Sequence, residues 1–210
     1  MYAVASDGLT GVPNAVALTH IHNYDTDLRL FSNGYIELSL LKNLKLKSTI
    51  GADIREYRGE YFRPATIPNN GNVAPLPSTE RKATEKSTEV INWLNENTLS
   101  YSFEKNKHAF SALVGITFQK TTSQDQSQKI LGMPDVAWKN RDLWYTGLGQ
   151  ASTLTGTTGG AVFTYLSYLA RVNYNYDNKY LITATVRTDG SSRFPVNGRY
   201  GTFPAVGVGW

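Results

Sequence analysis

A few groups of side chains in this sequence have the types and spacing that could do chemistry. His20 and His22 stand two residues apart, so on an extended chain they share a face, with Asp25 and Asp27 close behind as oxygen donors. A transition metal wants a third firm ligand, and the spacing fixes none; the pair reads as solvated histidines, and no metal is expected. Asp189-Gly190-Ser191-Ser192-Arg193 offers hydroxyls and a carboxylate with no histidine nearby in sequence, whereas a serine nucleophile needs a base within hydrogen-bond reach. The segment reads as a turn, with Gly190 supplying backbone freedom and Asp189 accepting from backbone N–H groups. Gly156 to Gly160 is rich in Gly and Thr, but no Lys-Ser/Thr follows, as a phosphate loop requires. His108 stands at a short turn and reads as a surface residue. The carboxylates are dispersed and form no acid/base pair. No catalytic residue, no enzymatic activity and no cofactor is expected. Trp138, Trp144 and Tyr145 are large aromatics clustered in a long polar stretch, suited to contact a substrate or partner, with plain loop packing as the alternative.

The elements that would position these residues are strands. From Val162 to Tyr176 the apolar residues Val162, Leu166, Tyr168, Ala170, Val172, Tyr174 and Tyr176 share one parity, and Ser167, Arg171, Asn173 and Asn175 the other. Tyr180, Ile182, Ala184 and Val186 then alternate with Thr183, Thr185 and Arg187, across a turn at Tyr176-Asp177-Asn178-Lys179. Period two means one wet face and one apolar face. An apolar face so rich in Tyr, joined by so short a turn, points to lipid. The segment Leu44–Tyr57 repeats the pattern, with Leu44, Leu46, Ile50, Ala52 and Ile54 even and Lys45, Lys47, Asp53 and Arg55 odd. A one-residue slip would turn these charges toward hydrocarbon, at about 2–4 kcal/mol for each basic one near the midplane. Ile91, Trp93, Leu99, Tyr101 and Phe103 form one apolar row, and Phe110, Ala112, Val114, Ile116 and Phe118 another.

The expected fold is all-β: an antiparallel up-and-down meander of about seven strands. Residues 1–24 are read as loop or extended segment, and residues 25–210 as barrel wall with long loops at 58–86, 122–160 and 188–199. Short turns at one end and long loops at the other are the arrangement of outer-membrane barrels. The composition is compatible: 210 residues, no cysteine and a net charge of +4, with a negative mean hydropathy. The basic residues form no stripe, so no nucleic-acid partner is expected. No apolar run reaches the roughly 20 residues of a transmembrane helix, which leaves β-strand spans open. Met1-Tyr2-Ala3-Val4-Ala5 has no basic start or apolar core of a signal peptide, and Trp210 falls inside a strand pattern; both ends fit a stretch of a longer chain.

The run from Tyr168 to Phe194, with Tyr174-Asn175-Tyr176-Asp177-Asn178-Lys179-Tyr180 at its centre and Arg187-Thr188-Asp189-Gly190-Ser191-Ser192-Arg193-Phe194 at its end, resembles the mid-barrel signature of the SusC/RagA family of TonB-dependent outer-membrane transporters. Tyr200-Gly201-Thr202-Phe203-Pro204-Ala205-Val206-Gly207-Val208-Gly209-Trp210 is similar to the family's next strand, with Ala205 where Ser is usual. Asn92 to Tyr101 and His108 to Gln119 resemble an earlier hairpin. The resemblance implies a barrel of about 22 strands around a plug, residence in the cell outer membrane of Bacteroidetes-type bacteria, and import of oligosaccharides or peptides. It also implies a SusD-like surface lipoprotein and TonB as partners, with no covalent step. Lys45, Lys47, Asp53, Arg55, Arg171, Asn173 and Arg187 would face the lumen and tune what passes. A passive porin-like barrel and a soluble β-sandwich carbohydrate-binding module are the alternatives that the same alternation leaves open.

Overall fold

The computed structural model describes residues 19, 21–64, 80–134 and 145–210. Seven strands make one sheet in sequence order: β1 (His22–Leu41), β2 (Leu44–Arg63), β3 (Lys82–Lys105), β4 (His108–Leu131), β5 (Thr155–Tyr176), β6 (Tyr180–Ser191) and β7 (Tyr200–Gly209). The sheet is an antiparallel meander, and the described residues outside it hold only three-residue 3₁₀ turns. The β5–β6 register runs from Tyr176↔Tyr180 to Tyr165↔Ser191, and β6–β7 from Leu181↔Gly209 to Gly190↔Tyr200. Even residues therefore face even residues, which keeps the Tyr174/Ile182/Val208 rows together on one side.

The tight turns use residues that tolerate positive φ. Asn106 has φ 56°, Asp177 56° and Asn178 53°, a region open to Asn and Asp because their short side chains bond locally. The turns are tied to one another: Asp177 N–H donates to Lys107 O at 2.7 Å and Lys107 Nζ to Asp177 Oδ2 at 2.7 Å.

The strands run further than alternation indicates. Residues 58–63, 82–86, 122–131, 155–160 and 188–191, read from sequence as loop, are strand, and 22–24, read as loop or extended, join β1. The strands β1 to β5 hold 20 to 24 residues each, about twice the 9–11 that cross a bilayer.

Contacts divide the chain into two compact units. The band unit comprises residues 29–54, 90–123 and 161–210. One of its faces is an apolar band: even positions of β1, β2, β4, β5, β6 and β7 and odd positions of β3. Leu30, Ile50, Trp93, Val114, Val172 and Val206 lie on it and are exposed. Asn95 and Asn97 interrupt it and are bonded internally, Asn97 Nδ2 to Asn95 Oδ1 at 2.7 Å and Asn95 Nδ2 to Thr49 O at 3.1 Å. That pairing removes much of the cost of a bare amide in an apolar setting.

The polar unit comprises the described residues among 21–28, 55–64, 80–89, 124–134 and 145–160. Here the corresponding positions carry Glu56, Arg58, Glu60, Glu85, Ser87, Gln124, Gln126 and Gln128. Its small core is Phe62, Ala83, Ile130 and Met133. Gly149 passes so close to Ile130 that a Cβ would stand 2.8 Å from its Cγ1. Gln150 N–H donates to Leu131 O at 2.8 Å, so the returning arm of the 132–154 connection is fastened to the end of β4.

Candidate functional site: the polar face of the sheet

Opposite the apolar band, the band unit presents a ladder of compensated polar groups. Arg29 forks onto Asp53, Nε to Oδ1 at 2.8 Å and Nη2 to Oδ2 at 2.7 Å; this bidentate geometry fixes both side chains. Lys45 Nζ donates to Glu37 Oε1 at 2.9 Å, and Lys47 Nζ lies 4.2 Å from the centre of the Tyr35 ring. Farther along the sheet, Asn173 Nδ2 donates to Ser111 Oγ and Thr183 Oγ1 to Asn173 Oδ1, linking β4, β5 and β6. Arg171 Nε reaches Thr185 Oγ1 at 3.3 Å, and Arg187 Nε reaches the Asp189 carboxylate at 2.7 Å.

In the polar unit Arg55 is bonded through Nε to the Asp27 carboxylate at 2.9 Å, and the Tyr57 hydroxyl donates to Asp25 Oδ1 at 2.7 Å. That bond, helped by partial burial and the negative charges of Asp25 and Asp27, holds the Tyr57 phenol above its usual pKa. A cleft of about 360 Å³ opens beside it, lined by Asp25 and Glu60 as well as by Tyr57, Tyr61, Lys82 and Lys86. The Lys82 ammonium sits 4.9 Å from the centre of the Tyr61 ring. Burial first, then the charges of Lys129, Arg63 and Lys86, pull the Lys82 pKa below the ordinary lysine range.

The residues singled out from sequence thus fall into separate groups. Lys45, Lys47, Asp53, Arg171, Asn173 and Arg187 line the polar face of the band unit, and Arg55 that of the polar unit. Trp138, Trp144 and His20 lie outside the described residues. Tyr145 does not join the polar-face groups. It is exposed beside a second cleft of about 360 Å³ with His22, Glu60, Glu85 and Gln128. Thr146 fastens it there, through N–H to Glu85 Oε1 and Oγ1 to Gln128 Oε1. His22 Nε2 lies 3.4 Å from Glu60 Oε2, and among the described residues no three metal-type ligands gather. His108 Nδ1 is 2.7 Å from the Tyr174 hydroxyl.

Two readings of the Asp189-Gly190 step change. Gly190 is a strand residue paired with Tyr200, whose ring occupies the space a Cβ would take, and Asp189 takes the Arg187 guanidinium. A glycine covered by a cross-strand ring supports strand pairing, a different use from turning the chain. Alternation did not single out the β1 partners Asp25, Asp27, Arg29 and Glu37 individually. Their signal was present, because each is odd-numbered, as are Arg55, Asp53 and Lys45 opposite.

No family model matches the chain. The TonB-dependent receptor P39 of Formosa agariphila is 31% identical over 192 residues, 88% of this chain and 17% of that protein. The TonB-dependent receptor SusC of Bacteroides thetaiotaomicron is 53% identical over 47 residues, 22% of this chain and 5% of that protein. The solved RagAB peptide transporter superposes with a TM-score of 0.78 at 25% identity, over 90% of this chain and 20% of that one. The chain belongs to the SusC/RagA family. It spans about a fifth of the length of the curated relatives it matches. The seven-stranded meander of this SusC/RagA chain fits the RagAB importer equally in its closed-closed and open-open states, with TM-scores of 0.77 and 0.76.

Proposed function

We propose that the chain is part of the barrel wall of a TonB-dependent transporter in the bacterial outer membrane, importing oligosaccharides or peptides with a SusD-like surface lipoprotein. The observation that carries this reading is the pairing of an apolar band with a polar ladder on opposite faces of the same strands. Such strands suit a wall with lipid outside and water inside. Lys45, Lys47, Asp53, Arg55, Arg171, Asn173 and Arg187 then face the lumen. Their hydrogen bonds hold side chains in place while solute passes, and the ladder carries no covalent step. The near-equal fit to the closed-closed and open-open states of the RagAB importer supports a wall that keeps its shape between them. TonB contacts and the plug belong to chain outside these residues.

The test uses the full-length parent in its own host. Growth on the imported nutrient should require both the parent and TonB, and the neighbouring lipoprotein should co-purify with it. Nutrient uptake that persists without TonB would mark a passive porin. A monomer folded in buffer without detergent would mark a soluble β-sandwich module.

A further inference from the structure

We infer that the short-turn edge of the apolar band is a headgroup site for anionic phospholipid, with Lys105 and Lys179 taking phosphodiester groups at either end of a ring row formed by His108, Tyr176 and Tyr180. The inference rests on the membrane-wall reading above, and adds to it which lipid this edge of the wall selects.

The row is built within the band unit, across four neighbouring strands. Lys105 ends β3 and His108 begins β4, on either side of the two-residue turn Asn106-Lys107. Tyr176 and Tyr180 face each other across the β5–β6 turn. By parity all four stand on the side of the apolar band, and Tyr176 and Tyr180 are exposed there. The His108 ring lies 5.0 Å from that of Tyr176, and Tyr176 stacks on Tyr180 at 6.4 Å. The Lys179 ammonium is 5.5 Å from the centre of the Tyr180 ring, which brings it to the same side. Two bonds hold the row in place: His108 Nδ1 lies 2.7 Å from the Tyr174 hydroxyl, and Asp177 N–H donates to Lys107 O.

Charge complementarity names the occupant. Over residues 101–111 and 173–183 the charged side chains are Glu104, Lys105, Lys107, Asp177 and Lys179. Lys107 holds the Asp177 carboxylate at 2.7 Å, and Glu104 has the opposite parity, on the polar face. The band side of this edge is therefore left with two ammonium groups and no open carboxylate. Tyrosine suits such an edge, with its ring against acyl chains and its hydroxyl in the wet headgroup layer. Lysine reaches outward from the same edge to an anionic group while its stem stays on apolar surface. Three strand spacings of about 4.8 Å separate β3 from β6, so each lysine serves its own phosphate. Short turns of such barrels are periplasmic, and the leaflet on that side of an outer membrane is made of phospholipid.

The experiment places the full-length parent in vesicles of phosphatidylcholine with a minor share of phosphatidylglycerol. Photolabelling of residues 101–111 and 173–183 is then mapped by peptide mass analysis. A phosphatidylglycerol with a diazirine in its headgroup should label both segments about fivefold more than the matching phosphatidylcholine. That ratio should shrink as salt rises. In Lys105→Gln/Lys179→Gln it should fall close to parity; each single variant should lose part of it and serves if the double variant fails to assemble. Asp177→Asn, which releases the Lys107 ammonium, should raise it. Equal labelling by the two headgroups, or a ratio unchanged in the lysine variants, would overturn the inference. A diazirine in the acyl chain tests the wall separately, at Val114 on the band. Labelling at Val114 with no headgroup preference at the turns would overturn this inference alone, and no labelling at Val114 would overturn the wall reading and the inference with it.

Discussion

The strand β4 passes through two chemical settings. In the band unit its even positions are Phe110, Ala112, Val114, Ile116 and Phe118; in the polar unit they are Gln124, Gln126, Gln128 and Ile130. β2 does the same, moving from Ile50, Ala52 and Ile54 to Glu56, Arg58 and Glu60. The opposite parity stays polar for most of each strand. Backbone pairing therefore asks little of side-chain type, and the medium against one face decides the residues on it. The unit boundaries at 54/55, 89/90 and 160/161 fall where this change happens, which marks where the apolar band ends along these strands.

The strongest way to break this comparison is to put one charge into each setting along the same strand. In the full-length parent, Val114→Arg should impair barrel assembly, because Val114 is 51% exposed on the apolar band and an arginine there costs about 2–4 kcal/mol at the midplane. Ala184→Arg should behave alike. Gln126→Arg keeps the parity of Val114 and should cost about 0–1 kcal/mol. Heat-modifiable migration of the three variants reads the difference directly, and equal assembly of Val114→Arg and Gln126→Arg would remove the band. Thr185→Ser is the control on the polar face, since it keeps the hydroxyl that Arg171 uses. Gly115→Ser is a poorer control than its polar parity suggests, because a Cβ there would stand 3.2 Å from the Thr98 methyl.

A smaller effect is expected where the two readings of Gly190 differ. Gly190→Val drives a side chain into the Tyr200 ring, and the loss of that cross-strand contact should cost about 1 kcal/mol. The readout is a lowered urea midpoint for unfolding from detergent or lipid. Tyr200→Ala should lose a similar amount, and the double variant should lose less than the sum, as groups in contact do. A full sum would show that the ring does not depend on the glycine.

What the sequence disclosed and what it concealed follow from the same contrast. The β5–β6 turn and its register were legible because Tyr176-Asp177-Asn178-Lys179 combines turn formers with rows that cannot slip without moving Arg171 and Arg187 onto the apolar face. The far halves of β2, β3 and β4 were illegible as strand because alternation needs one dry face. At Glu56, Arg58 and Glu60, or Gln124, Gln126 and Gln128, both faces are wet and the period-two signal vanishes. Single charges on the ladder were visible by parity, whereas their pairing across strands, as in Arg29 with Asp53, depends on a β1–β2 register that turn residues alone did not fix. The lysine group of the polar unit is dispersed over β3 and β4 in sequence, and only strand pairing gathers it.

The polar ladder should contribute little to stability. Asp53→Asn removes the charge that holds Arg29, but that guanidinium is well exposed, and pairs of this kind are worth about 0.2–1 kcal/mol. The urea midpoint should move slightly and the shift should shrink as salt rises, because exposed ion pairs are screened. A shift as large as that of Val114→Arg would mean that the ladder, with the band, holds the wall together.

The smallest and most specific effect concerns Lys82, and it separates the polar unit from the ladder. Its pKa is lowered by burial first and by Lys129, Arg63 and Lys86 next. The fold thus disfavours its charged form: the penalty is present below the folded-state pKa and is relieved as pH rises through it. Acylation of Lys82 by an amine-reactive ester, followed by peptide mass analysis over about pH 8 to 10, should reach half its plateau at lower pH than a lysine in a free peptide. Added salt should move that midpoint part of the way back, since it screens the three cations and leaves burial unchanged. Lys129→Gln should move it in the same direction as salt. A midpoint indifferent to salt and to Lys129→Gln would assign the whole shift to burial, and would leave the lysines of this face as independent solvated charges.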